Sequence, residues 1–468
     1  MSNVLRGYHL PGYKGRLERI DIGPLELEVP ILTPDDVRAQ IERLARGRET
    51  LAMYSVDQLA EIFGRAAAFW QKASDVKSRV ATAVSALTGL SVPVVEASIT
   101  VEQGNSSAAD ILAALDRELG NRHCLDGFVD DPNLKGMTRA FGSELVAAIL
   151  TSNVPGLAYL PLVRAMMVKS PLAAKLSSRE PVFGPAWMQS VAAIEPPLAE
   201  TAALLFWSSS DAALEQAMIA PSDTLIVYGG VQSVAHFRET WGASKRIVVH
   251  GHKISLAMVG REALADEKSA RRLAARLALD VVMFDQRACV SPQICYVETG
   301  GNVSTEHFAE LAGQELAALE SILPASSTNL DAAASLGMER NIAAFQAAQD
   351  DGMHVFAGPS HTVVHESTPS FTGVLPARYL RVCPVADLKE VIELCRGKGE
   401  FLQNVGLACS RKRAVPLAEM LARAGVSHIT SPGSMHKPSM RWKHDGMACF
   451  ADLVRYTDIE MFDNFTEE

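Results

Sequence analysis

The sequence predicts an α/β protein of two domains, and three observations predict it. The chain has 468 residues, more than a single hydrophobic core usually organises. Short apolar runs at 145–150, 172–176, 203–207, 224–228 and 247–250 alternate with stretches of helical spacing, the pattern of βαβ units around a parallel sheet. A second alternation starts after about residue 254 and continues to about 435.

Taken in chain order, residues 1–40 read as extended leading segments. From about 33 to 119 the spacing is helical, with Val56, Leu59, Ile62 and Phe63 recurring at three and four positions between charges. Residues 120–141, with Gly120, Gly127, Asp130, Asp131, Pro132 and Gly136, read as a turn-rich crossing segment of hairpin type. The five apolar runs follow as strands. Past residue 254 the expected elements are a helix over 262–282, a cysteine loop, a strand over 294–298 and a helix over 305–322. Further strands are expected at 380–382 and 426–430, with a helix over 386–396 between them.

Composition narrows the function classes. Apolar residues make up 48% and charged residues 21% of the chain, the balance of an ordinary globular protein. The net charge is −10 and no block of Lys or Arg concentrates positive potential, so nucleic acid is not an expected partner. Seven cysteines at 124, 289, 295, 383, 395, 409 and 449 include no Cys-x-x-Cys pair, which argues against a disulfide framework or structural zinc and fits a reducing cytoplasm. The first 19 residues lack the apolar core of a secretory signal. The longest nearly uncharged run, 145–163, is broken by Asn153, Pro155, Gly156 and Pro161, so no membrane span is expected.

The decisive local sequence is Phe284-Asp285-Gln286-Arg287-Ala288-Cys289-Val290-Ser291-Pro292-Gln293. A free cysteine is most often a small buried hydrophobe, and that reading suits Cys295 in its apolar strand, Cys409 and Cys449. Around Cys289 the polar residues suggest a loop outside the core, with Arg287 placed to favour a thiolate. A thiolate is a natural nucleophile toward a thioester, because the product is another thioester whose carbonyl stays activated.

This loop, together with Lys175-Leu176-Ser177-Ser178-Arg179-Glu180-Pro181, Tyr228-Gly229-Gly230 and His250-Gly251-His252-Lys253, resembles the LuxC-type acyl-CoA reductases. These are fatty-acyl reductases best known from bacterial bioluminescence and a distant branch of the aldehyde dehydrogenase superfamily. The resemblance runs in consistent order from about residue 140 to Asp458. It implies an aldehyde dehydrogenase-like α/β fold, with a Rossmann-type cofactor domain over 1–255 to which 440–460 return. A second α/β catalytic domain over 256–438 carries the nucleophile.

The same resemblance assigns roles. Asn153 matches the superfamily's asparagine whose amide joins the backbone N–H of the cysteine in holding an oxyanion; the plain alternative is an Asn capping the next helix. Lys175 matches the lysine that meets the cofactor ribose. Where NAD-specific relatives carry a Glu shortly after, this chain has Ser177, Ser178 and Arg179, which would accept a 2′-phosphate and favour NADPH over NADH. Gly229 and Gly230 close a strand and open a helix where backbone N–H groups meet a pyrophosphate, and Gly251 follows the next strand. No Gly-x-Gly-x-x-Gly fingerprint occurs.

One departure is informative. The superfamily's hydrolytic members carry a basic Glu in Glu-Leu-Gly-Gly-Lys, and the matching stretch here is Val249-His250-Gly251-His252-Lys253. Without that base, water attack on an acyl-enzyme should be slow, which suits a reductase. His250 and His252 are candidates for proton transfer or for purely structural roles. No metal site is expected: His361 and His365 flank a β-prone Thr-Val-Val, where their spacing does not pair ligands, and His436 and His444 read as loop residues.

The expected function is reduction of an acyl-CoA or other acyl thioester to the aldehyde, with CoA as leaving group. Two rivals stand beside it, a hydrolytic aldehyde dehydrogenase and an acyl-accepting subunit supplied by a separate acyl-activating enzyme. A homo-oligomer is implied by the resemblance, although the chain ends soon after Phe465 and leaves little room for an exchanged C-terminal strand. The acyl chain length is not encoded in any local motif.

Overall fold

A computed structural model describes residues 3–207, 211–326, 330–371 and 377–461. The chain forms two compact units, one of residues 1–88, 99–251 and 439–468, the other of residues 89–98 and 252–438.

The first unit opens with a small sheet of β1 (Val4–Arg6), β2 (Leu17–Ile22) and β3 (Leu25–Pro30), in spatial order 1-3-2. Helices α1 (Pro34–Leu44), α2 (Gly47–Ala52), α3 (Val56–Gln71), α4 (Asp75–Thr88), α5 (Val92–Gly104) and α6 (Ala108–Leu119) follow, with residues 92–98 of α5 counted in the second unit. Thr33 and Ser55 cap α1 and α3 through reciprocal side-chain and backbone bonds, so the helical region begins where sequence spacing places it. β4 (Val129–Asp131) and β5 (Gly136–Gly142) form the antiparallel hairpin expected between residues 120 and 141.

The main sheet of this unit contains β6 (Val146–Ile149), β7 (Leu172–Lys175), β8 (Ala202–Leu205), β9 (Thr224–Tyr228) and β10 (Arg246–His250). All four neighbouring pairs are parallel, in order 10-9-6-7-8. α7 (Tyr159–Met167) follows β6, α8 (Phe183–Ile194) follows β7, and α10 (Val231–Trp241) follows β9; α9 (Ala212–Ile219) precedes β9. Strands that are apolar on both faces, such as Val146 to Ile149, are buried throughout, as a parallel sheet covered on both sides requires. The order reverses between β6 and β9, a topological switch point.

The second unit holds a seven-stranded sheet of β11 (Ile254–Val259), β12 (Pro292–Glu298), β13 (His354–Ala357), β14 (Thr362–His365), β15 (Tyr379–Val385), β16 (Leu402–Ala408) and β17 (His428–Thr430), in order 13-14-15-12-11-16-17. Only β13 runs antiparallel to its neighbour. α11 (Glu267–Val282), α12 (Thr305–Leu319), α13 (Leu330–Ala347), α14 (Glu390–Leu394) and α15 (Arg411–Arg423) accompany it. Finally β18 (Val454–Ile459) pairs with β5 in the first unit.

Several expected elements differ. The helix expected from 262 is a 3₁₀ turn over Arg261–Leu264 and then α11, because the Asp266 side chain accepts from the Ser269 N–H and caps a fresh start. The helix expected over 386–396 shrinks to the single turn α14, with Gly397 at φ 75° just beyond it. No single helix among the described residues is long and apolar enough to cross a membrane.

Candidate active site

Cys289 lies in the second unit, on a turn between α11 and β12, half-buried between fully covered Ala288 and Val290. Its carbonyl accepts from Ser255 Oγ at 2.6 Å, and the Ser291 N–H donates to the Ala288 carbonyl at 3.0 Å. The polar neighbours are not the solvated loop that the sequence suggests. Asp285, Gln286 and Ser291 are buried, and Asp285 forms an ion pair with buried Arg378. Arg287 lies 4.0 Å from the Asp285 carboxylate, so its charge faces an acid as well as the turn.

The other cysteines divide by environment. Burial raises the thiols of Cys295, Cys383 and Cys395 above their ordinary range, Cys395 to about 11, so they are poor nucleophiles. Cys409, expected in the core, is instead half-buried at the end of β16, although burial still raises it.

The first unit gathers the remaining candidates at one end of a sheet. Lys175 ends β7, and Asn153, Gly229, Gly230 and Gly251 follow the C-terminal ends of the parallel strands β6, β9 and β10. Ligands of open α/β sheets bind at that edge, beside the switch point, which here lies between the loops after β6 and β9. Asn153 is not a helix cap: α7 begins at Tyr159, with Ala158 in the capping position. Lys175 ends β7 with its ammonium 5.4 Å from the Trp207 ring centroid, and burial lowers its pKa. Ser178 and Arg179 are exposed, Ser177 half-buried; the Ser177 hydroxyl accepts from the Arg179 N–H at 3.4 Å.

Gly230 caps α10 without a side-chain bond to the helix. A Cβ on Gly229 would approach Ser233 Cβ to 2.9 Å, while Gly230 faces open space. A helix of 11 residues with no side-chain cap and two glycines at its mouth fits a dinucleotide pyrophosphate.

Sequence reasoning missed a polar cluster beside these loops. His250 Nδ1 and Asp445 Oδ2 lie 2.9 Å apart; the rings of Tyr228, His250 and His444 stack with successive centroid separations of 4.5 and 4.0 Å, and Trp442 lies tilted against His444 at 4.6 Å. His250, His444 and Asp445 place one ligand atom each within 4.8 Å of one another. His444 is therefore buried, and so is His436, whose Nδ1 lies 2.6 Å from Asp280 Oδ1. Both lie in connecting segments, as expected, His436 in a turn and His444 in a single 3₁₀ turn, but both are enclosed rather than solvated. His250 and Asp445 are separated by 195 positions, and no local signal joins them.

The architecture defines the class: an aldehyde dehydrogenase-like α/β protein. An aldehyde dehydrogenase from Brucella melitensis biovar abortus 2308 has the same fold, with a TM-score of 0.69 at 11% identity over 95% of this chain and 93% of that one. An NADP-dependent glyceraldehyde-3-phosphate dehydrogenase from Bacillus halodurans C-125, complexed with NADP, gives 0.69 at 12% identity over 96% of each chain. The family described as acyl-CoA reductase (LuxC) matches residues 51–456, and the chain belongs to it. A long-chain acyl-protein thioester reductase 2 of Photobacterium leiognathi is 26% identical over 357 residues, 75% of this chain and 71% of the relative.

Proposed function

We propose that this protein reduces acyl thioesters to aldehydes with NADPH, through an acyl group carried on Cys289. The observation that carries the reading is a half-buried cysteine on a braced turn in a chain of the acyl-CoA reductase family. The Cys289 thiolate attacks the thioester carbonyl carbon, and the Cys289 N–H with the Asn153 amide donates to the oxyanion as it develops. The bond to the departing thiol breaks, that thiol leaves as thiolate and takes a proton, and the acyl group stays on Cys289. NADPH, when bound, supplies the hydride that turns the acyl carbon into a thiohemiacetal carbon. Cys289 then departs as thiolate and the aldehyde is released.

In this reading Lys175 meets the cofactor ribose, the N–H groups after Gly229 and Gly230 meet its pyrophosphate, Gly251 leaves the end of β10 open, and Ser177, Ser178 and Arg179 accept the 2′-phosphate. A Bacillus halodurans protein of the same fold is complexed with NADP. Val249-His250-Gly251-His252-Lys253 contains no carboxylate to activate water, so the acyl group is held for reduction rather than hydrolysed.

Cys289→Ala should abolish covalent labelling by radiolabelled acyl-CoA, and labelling that persists in that variant rejects the assignment. Two carriers for the donor acyl group are distinguished by experiment, free CoA and a protein, since a relative is named for acyl-protein thioesters. Turnover of acyl-CoA by the purified chain alone would favour CoA as leaving group. Dependence on an added acyl-activating enzyme would favour a protein-borne acyl group.

A further inference from the structure

The turn that presents Cys289 is preceded by three consecutive non-glycine residues in the left-handed region, Phe284, Asp285 and Gln286, at φ 57°, 52° and 60°. Each is unfavourable for a residue with a Cβ, and such a run persists only where its surroundings over-determine it. The surroundings here are specific. Arg378 Nε donates to Asp285 Oδ1 at 2.7 Å, with the two side chains 1% and 3% exposed, and Arg378 Nη1 reaches Glu320 Oε2 at 3.0 Å. The Gln286 amide closes on the backbone of the next residue along. Its Nε2 donates to the Tyr379 carbonyl at 2.8 Å and the Pro292 carbonyl at 2.9 Å, and its Oε1 accepts from the Tyr379 N–H at 2.8 Å. Ala377 and Arg378 are themselves left-handed, at φ 80° and 58°. Two strained segments, 93 positions apart, are thus clamped to one another by one buried ion pair and one amide fork.

We infer that the Asp285–Arg378 pair and the Gln286–Tyr379 fork are positioning elements for Cys289, holding the strained segment so that the following turn fixes both the thiol and its N–H. A thiol attacking a carbonyl must meet it within a fraction of an ångström of the reactive geometry, and a donor N–H must aim at an oxygen that exists only transiently. A relaxed turn would lose both together. The inference rests on the proposed role of Cys289.

Two variants test it. Asp285→Asn keeps the size and the tolerance for left-handed backbone while removing the charge that pairs with Arg378. Gln286→Met keeps the volume, adds no charge and removes the fork. With hexadecanoyl-CoA and NADPH, each should lower kcat on the order of 10- to 100-fold with KM little changed. The rate of iodoacetamide modification at Cys289, followed by peptide mass, should fall with it, while the melting temperature shows a folded chain. Wild-type kcat and alkylation rate in either folded variant overturns the inference. So does failure of both variants to fold, since the contacts would then serve the fold as a whole. Neither result bears on the nucleophile itself, which stands or falls with acyl labelling of Cys289→Ala.

Discussion

Glu180 ends the Lys175-to-Arg179 segment with its carboxyl almost fully enclosed, 2% exposed, where it accepts from the Phe183 N–H at 2.8 Å. Burial, opposed by bonds from the Phe183 and Val182 N–H groups, pushes this carboxyl up to about 8. A raised carboxyl leaves stability intact below its unfolded value near 4.5, where both states are protonated. Stability is lost as pH climbs from there through about 8, because the folded state must give up its proton unfavourably. Glu180→Gln should therefore flatten the decline in stability between pH 5 and 8 by on the order of 2–4 kcal/mol, measured by urea unfolding at both pH values. Next to it, Arg179→Ala should raise KM for NADPH about tenfold and leave KM for NADH unchanged, since only the phosphorylated ribose would lose a charged partner. The polarity of Arg179 is legible in the sequence. The burial of Glu180 is not, because Glu in a turn-rich segment is ordinarily solvated.

Strands and helices form where local periodicity and burial agree. The run 224–228 is β9 to the residue, and 145–150, 172–176 and 203–207 each lie within two residues of β6, β7 and β8, because strands buried on both faces appear as continuous apolar runs. Where an element's end is decided by capping, periodicity misleads, as at the start of α11. A side-chain clamp joins two elements at the far end of the second sheet. Glu298, at the end of β12 and 1% exposed, receives both arms of Arg413 from α15 at 2.7 Å and the Arg261 N–H at 3.0 Å. Desolvation works against the charge, but the Arg413 and Arg261 bonds outweigh it and hold the carboxyl down at about 2. Its stabilisation is present above the unfolded value near 4.5 and lost as pH falls toward 2. Arg413→Met should thus move the midpoint of acid unfolding to higher pH. At pH 7 it should cost about 2–3 kcal/mol, because Glu298 loses its bidentate partner while it keeps the Arg261 bonds; far-UV circular dichroism against pH checks the first and thermal unfolding the second.

For the whole molecule, binding and stability are linked. A dinucleotide that binds the folded chain alone should raise its melting temperature, by an amount equivalent to about 2.7 kcal/mol at 100 times Kd. Lys175→Ala should diminish that shift with both NADPH and NADH, whereas Arg179→Ala should diminish it with NADPH only. Differential scanning fluorimetry across a titration reads both, and equal shifts in all three proteins would remove these residues from the cofactor site. The molecule's net charge of −10 offers no general attraction to an anionic cofactor, so such binding has to come from local donors at the sheet edge.

Sequence alone determined the fold class, the alternation of strands and helices, the reactive candidate Cys289 and the absence of a carboxylate in the stretch 249–253, because each is a property of neighbouring residues. Tertiary structure decided which strand ends share an edge, that Asp285 and Gln286 turn inward, and that Arg378, His444 and Asp445 stand beside residues far away in the chain. Those partnerships depend on closing loops of 93 to 195 positions. Only the packed sheet supplies the free energy to close such loops and bury charge, and no local pattern records the outcome.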